Sequence, residues 1–277
     1  EVMSWKAPLP DDMLMVLEVL NKFDSWKFLF FKSMHFFPSN VKLLSTSRFL
    51  EGGRSKGSFN NFNLALHVND EKSAVLANRS LLSSHYDLPS SPVWINQTHS
   101  NISVDADSIS SIVEADASYS KKMGTVCGVL TADCLPVFVS NKEGTAIGIA
   151  HAGWRGLVGG IIESLIESFD CDGEDLTVYL GPAISQLSFE VGIDVKSQYL
   201  SKNENFMSCF NFSNDKHYLD LYDAARVVLK SLGVKSISGG DRCTYNEPDH
   251  FFSYRRDGQK SGRMAHLIWI DSTRNWF

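Results

Sequence analysis

With 277 residues, 43% of them apolar and 21% charged, the chain falls in the range of ordinary globular proteins and outside those of disordered or membrane-embedded ones. That length buries a substantial core without disulfide or metal staples, so one domain over residues 1–277 is expected. A formal net charge of −6 argues against a phosphate-backbone binder, which needs clustered Lys and Arg, and favours a small-molecule partner over nucleic acid.

Residues 11–20 have helical spacing, but their apolar stretch is interrupted by Glu18 and is far shorter than the roughly 20 residues a bilayer span needs, so no membrane segment is expected. Asp11 and Asp12 ahead of it are unlike the basic opening of a secretory signal. Residues 26–31 form an aromatic run of strand length. A helix is predicted over 70–82, with Asp70 as its N-cap. Strands are predicted over 93–97, 125–130, 136–140, 145–150, 176–180, 234–238 and 264–270. Leu157, Ile161, Leu165 and Phe169, four apart, predict a helix over 156–169, and a second stripe predicts one over 219–232 stopped by Gly233. Helices separated by several consecutive strands favour an α+β fold of mixed sheets covered by outer helices over a doubly wound parallel sheet. The five cysteines are odd in number and scattered, with no Cys-x-x-Cys pair, which reads as reduced thiols in a cytoplasm with one available for chemistry.

Three of the strands end in chemistry-bearing residues. His99 follows the strand at 93–97 in a polar loop; alone, such a His is more often a surface or capping residue than a ligand. Cys134 sits where Thr131-Ala132-Asp133-Cys134 interrupts an apolar run, and Pro136 makes continuous pairing there unlikely; the bland alternative is a small buried hydrophobe. His151 ends a strand that passes through Gly153 into a helix, where Arg155 near the helix start suits an anion such as phosphate. The plainer reading of that segment is a tight connection with a solvated Arg155. Together, two imidazoles and a thiolate are the right number and type for a catalytic zinc with one open position, and such an ion lowers the pKa of its water to around 7. The loop 243–263 carries Arg255, Arg256 and Arg263, ordinarily solvated; Arg48 is a further candidate for substrate contact and His67 for a polar wall.

The segments around His99, Cys134 and His151, with Leu180-Gly181-Pro182-Ala183-Ile184, Phe251 to Gly258 and Gly262-Arg263-Met264, resemble in order the YfiH-like family, the laccase-domain or purine nucleoside phosphorylase family, over residues 45–270. The resemblance implies layered α/β/β/α sheets and helices, distantly like the catalytic domain of cytotoxic necrotising factor toxins, and zinc on His99, Cys134 and His151. It further implies phosphorolysis of adenosine, inosine and methylthioadenosine, and deamination of adenosine. Arg48, Arg155 and Arg255 are then the candidates for substrate and phosphate. Copper-dependent polyphenol oxidation is the older alternative, and a cysteine hydrolase or amidase using Cys134 another. The chain departs from the family pattern at Ser185 to Glu190, where relatives carry Cys-Cys-Tyr-Glu, and at Ser100, where Gly is common, which implies a narrower approach to His99.

Overall fold

The computed structural model describes residues 36–271, so the readings at 11–20 and 26–31 lie outside the described residues. Strands β1 (Val41–Ser45), β2 (Val93–Trp94), β3 (Ser103–Asp105), β4 (Ala117–Ser120), β5 (Val126–Thr131), β6 (Leu135–Asn141) and β7 (Ile147–Ala152) follow in chain order, with helix α1 (Lys72–His85) after β1. Helices α2 (Trp154–Gly159) and α3 (Ile161–Ile166) lead to β8 (Leu176–Leu180) and β9 (Glu190–Val191). Helix α4 (Ile193–Lys202), strands β10 (Phe210–Ser213) and β11 (Lys216–Leu219), α5 (Leu221–Ser231), β12 (Ser236–Gly239), α6 (Tyr254–Asp257) and β13 (Met264–Ile270) complete the order.

These strands make a four-stranded sheet, β1-β13-β5-β2, and a six-stranded sheet, β12-β8-β6-β7-β4-β3, with β10-β11-β9 as a small third. Each large sheet mixes parallel and antiparallel pairs. The core divides accordingly. Between the large sheets, Leu43, Cys127, Val129 and Ile268 meet Phe138, Ile147 and Ile149. The far face of the six-stranded sheet packs Val137, Val139 and Ala150 against Leu157, Leu165 and Leu229 of the helices. The far face of the four-stranded sheet packs Leu44, Leu130 and Leu267 against Leu82 of α1. Helix, sheet, sheet and helix therefore stack in that order, as the α+β reading expects, because strands with two buried faces need cover on both.

Local departures from expectation have local causes. The stripe Leu157, Ile161, Leu165, Phe169 is buried throughout, but the helix over 156–169 is split at Gly160, whose φ of 100° no continuous helix accommodates. Helix α1 begins at Lys72, and Asp70 is not its cap: its carboxylate accepts from Ser55 Oγ (2.6 Å) and Asn63 Nδ2 (2.9 Å) and ties two loops together. Asp220 does cap α5, accepting from Asp223 N–H, and Gly233 turns beyond it at φ 81°. Pro136 lies inside β6, paired on one side with His151, and is tolerated as the second residue of the strand.

His266 on β13 is wholly buried between Ser45 Oγ (2.9 Å) and Thr131 Oγ1 (2.8 Å). Burial, with a smaller contribution from His151, lowers its pKa to about 3. Between that value and the unfolded value of about 6.5 only the unfolded chain binds this proton, so stability falls as pH falls, by up to about 2 kcal/mol at pH 5. In urea unfolding, the stability gap between wild type and His266→Gln is expected to shrink by that order from pH 7.5 to pH 5; a gap independent of pH refutes the assignment.

Candidate metal centre

The chain brings its three suspected ligands together at one end of the sheet pair. Beyond β2, Gln97 clamps both backbone groups of Leu130 on β5, donating to its carbonyl (2.9 Å) and accepting from its N–H (2.8 Å). That clamp carries the strand direction onward and delivers His99 to the sheet end. Residues 132–134 take the chain from β5 in one sheet to β6 in the other, which explains the polar interruption in that apolar run. Asp133 makes the turn at φ 88°, a region that L-residues rarely occupy. It is held there by Thr244 Oγ1 donating to Oδ1 (2.6 Å) and Arg255 N–H donating to Oδ2 (2.6 Å). His151 is the penultimate residue of β7.

One ligand atom from each of His99, Cys134 and His151 lies within 4.8 Å of the others, and His99 Nε2 is 3.8 Å from Cys134 Sγ. A tetrahedron built on zinc bonds of about 2.0–2.3 Å has edges of roughly 3.3–3.8 Å, so the His99–Cys134 pair already matches an edge and a side-chain adjustment of about 1 Å closes the widest separation on one small ion. Burial is graded: His151 is buried, Cys134 half-buried and His99 exposed, which leaves an open side. Gly153 leaves the room between them; a Cβ there would stand 2.7 Å from His99 Cδ2 and 2.9 Å from Cys134 Sγ. Donor chemistry, spacing and that cradle all fit a metal held by these three residues.

Asp116 organises the group. Its side chain is fully buried; Oδ1 accepts from His151 Nδ1 (2.7 Å), and Oδ2 accepts from Thr98 N–H (3.1 Å), Ser100 N–H (2.6 Å) and Ser100 Oγ (2.7 Å). Two backbone N–H groups on either side of His99 reach one oxygen because His99 itself sits at φ 62°. Burial acts to raise the Asp116 pKa, but the bonds from His151 and Ser100 outweigh it and bring it down to about 2. An ionised acceptor at Nδ1 puts the proton on that nitrogen and leaves His151 Nε2 free to ligate. Burial likewise acts to raise the Cys134 thiol, yet the facing His151 and His99 hold it below its ordinary value, while Cys134 and Asp116 together raise His151 above its own.

The trio forms the floor of a cavity of about 540 Å³ whose wall includes Trp154, Phe189, Tyr254, Arg155, Arg255 and Arg263. Each arginine lies over one of the aromatic rings: Arg155 over Trp154 (4.3 Å to the centroid), Arg255 over Phe189 (5.1 Å) and Arg263 over Tyr254 (5.6 Å). His67 also lines the cavity, and burial, then Arg263, lowers its pKa. Arg48 is not among the wall residues: its guanidinium donates to the carbonyls of Asn60 (3.2 Å) and Pro248 (3.0 Å), pinning two loops. Ser100 turns its hydroxyl onto Asp116 instead of narrowing the approach to His99.

Sequence reasoning missed Asp116, Asp133, Gly153 and the cavity aromatics. For Asp116 the signal was faint: an acid between the small residues Ala115 and Ala117 is compatible with burial, but acids are mostly exposed, and only the structure shows this one buried and paired. For Gly153 the φ of −66° is ordinary, so only the neighbouring side chains reveal why no Cβ is present.

A family model described as multi-copper polyphenol oxidoreductase laccase matches residues 43–271. The purine nucleoside phosphorylase of Haemophilus influenzae is 41% identical over 237 residues, covering 84% of this chain and 96% of its own. The purine nucleoside phosphorylase YfiH of Escherichia coli is 42% identical over 235 residues, covering 84% and 95%. The crystal structure of a Neisseria meningitidis protein superposes with a TM-score of 0.81 at 42% identity, covering 85% of this chain and 96% of that one.

Proposed function

This chain belongs to the YfiH family, whose domain is described as multi-copper polyphenol oxidoreductase laccase, and from that premise we propose that it is a zinc-dependent purine nucleoside phosphorylase with adenosine deaminase activity. The observation that supports this most is two imidazoles and a thiolate converging at the floor of a cavity walled by guanidinium groups and aromatic faces. A volume of about 540 Å³ suits a ligand of nucleoside size. In this reading Trp154, Phe189 and Tyr254 offer apolar faces to the purine, while Arg155 and Arg255 supply positive charge for phosphate. Anionic attack at an oxocarbenium-like ribosyl carbon needs mainly positioning and charge complementarity, which such a wall provides. Asp116 fixes the ring of His151, and Asp133 holds Cys134 and the Arg255 loop in register. A zinc on His99, Cys134 and His151 supplies Lewis acidity and a water that ionises near neutral pH.

Incubation with adenosine and phosphate is expected to yield adenine and ribose 1-phosphate, with inosine and ammonia from the deaminase reaction. Dialysis against a strong chelator is expected to remove both activities, and stoichiometric zinc to restore them. Products that persist after metal is shown to be absent, or none in the zinc-loaded protein, overturn the proposal. The family description itself favours a second reading, oxidation of phenols with copper on the same ligands; oxygen uptake by the copper-loaded protein tests it. Rapid alkylation of Cys134 in the zinc-loaded protein would instead favour a cysteine hydrolase.

A further inference from the structure

We infer that Arg263 is the residue that anchors the phosphate co-substrate, with Arg155 and Arg255 attracting the anion at the rim; the inference rests on the phosphorolysis reading above. The three cavity arginines differ in how they are held. Arg155 and Arg255 are exposed, whereas Arg263 is half-buried. Arg155 has the ring of Trp154 beneath it and no hydrogen bond to the described residues. Arg255 spends its guanidinium on the carbonyls of Glu190 (2.9 Å) and Ser188 (3.5 Å), which bind it to the segment bearing Phe189. Arg263 commits a single nitrogen: Nη1 donates to Ser261 O (2.8 Å) and Gly262 O (2.9 Å). The fork is thereby fixed in place, and Nε and Nη2 make no hydrogen bond to the described residues. A guanidinium held in that way presents two parallel donors already oriented, the arrangement that recognises a planar pair of oxyanion oxygens.

The electrostatics of the wall point the same way. Its single carboxylate among the described residues, Asp133, already accepts from Thr244 and from Arg255 N–H, and no salt bridge joins Arg263 to any described acid. Arg263 feels the charges of Cys134 and Asp133, but burial dominates and lowers its pKa. A half-buried cation without a paired carboxylate is costly unless an anion completes it. His67 on the neighbouring wall also has its pKa lowered by burial and by Arg263. The chain as a whole carries −6, so this local excess of cations is a property of the cavity and not of the composition.

The test uses the zinc-loaded full chain with Arg263→Gln, Arg263→Lys and Arg155→Gln. Steady-state kinetics with inosine are expected to show the KM for phosphate raised about tenfold or more in Arg263→Gln, corresponding to the loss of one charge-assisted fork. The KM for inosine is expected to stay within about twofold, and Arg155→Gln to raise the phosphate KM by less than about threefold. Arg263→Lys keeps the charge without the fork and is expected to fall between, which also serves if the Gln variant fails to hold its loop. A phosphate KM no higher in the Arg263 variants than in Arg155→Gln, or an inosine KM that rises with it, overturns the inference. Calorimetric titration with inorganic phosphate alone separates the two levels. If wild type shows no phosphorolysis, the functional reading fails, while binding of phosphate by wild type and its loss in Arg263→Gln still uphold the anchor; equal binding, or none by wild type, overturns it.

Discussion

Alanine at position 153 is expected to abolish metal binding while the fold persists. Gly153 has φ −66° and ψ 163°, values any L-residue adopts, so the backbone tolerates the change without strain. The added methyl, however, enters the space that two ligands share, 2.7 Å from the ring of His99 and 2.9 Å from the sulfur of Cys134. His99 is the exposed member of the trio, whereas Cys134 is half-buried and His151 buried, so its ring is expected to yield first, after which the three donors no longer converge. Zinc affinity is expected to fall by more than about 100-fold, exceeding the usual effect of losing an outer partner, since the ligands themselves move. Atomic absorption on gel-filtered protein, beside a circular dichroism melt, checks both halves. One zinc per chain in Gly153→Ala contradicts the assignment of this cradle, and an unfolded variant contradicts the claim that only the site is touched.

Asp116→Asn carries the second large effect. The substitution keeps the shape of the side chain but turns one acceptor into a donor, and both ends of Asp116 face N–H groups. If the amide nitrogen meets His151, Nδ1 must become an acceptor and the ring proton moves to Nε2, the nitrogen needed for the metal. If it meets Ser100 instead, donor faces donor and the His99 loop loses its φ 62° turn. Metal affinity is expected to fall about 10–100-fold and stability by about 1–3 kcal/mol. The pH dependence has a defined sign: with the Asp116 pKa lowered to about 2, its stabilisation is complete above the unfolded value near 3.9 and is lost as pH falls through 2. That window is worth about 2–3 kcal/mol. Wild type is therefore expected to lose stability relative to Asp116→Asn between pH 4 and pH 2 in denaturant titrations, and parallel pH profiles for the two proteins refute the role.

Both residues show where sequence reading stops. Strands 176–180 and 264–270 were legible to the residue, because β-branched and apolar runs bounded by turn residues report burial on both faces. The helix over 156–169 was legible as a buried stripe but not as two pieces, since Gly160 tolerates a helix or breaks one depending on what its neighbours pack against. Strands β1, β3 and β4 carry no such signature: they are three to five residues long with mixed polarity, and their pairing partners supply their stability. Arg48 shows the same limit among the candidate site residues, because a guanidinium reads alike in sequence whether it faces a ligand or two loop carbonyls.

By itself, the sequence determined the α+β class of the fold, the family, and which two imidazoles and thiol could form a metal centre, since donor type, apolar periodicity and motif order are local properties written along the chain. The tertiary structure alone decided that a nitrogen from residue 99, a sulfur from 134 and a nitrogen from 151 come within 4.8 Å of one another, that Asp116 pairs with His151, and that Arg263 lines the cavity while Arg48 pins two loops outside it. Each of those depends on contacts between residues far apart in the chain, whose distances are set by how two sheets pack and not by spacing along either strand.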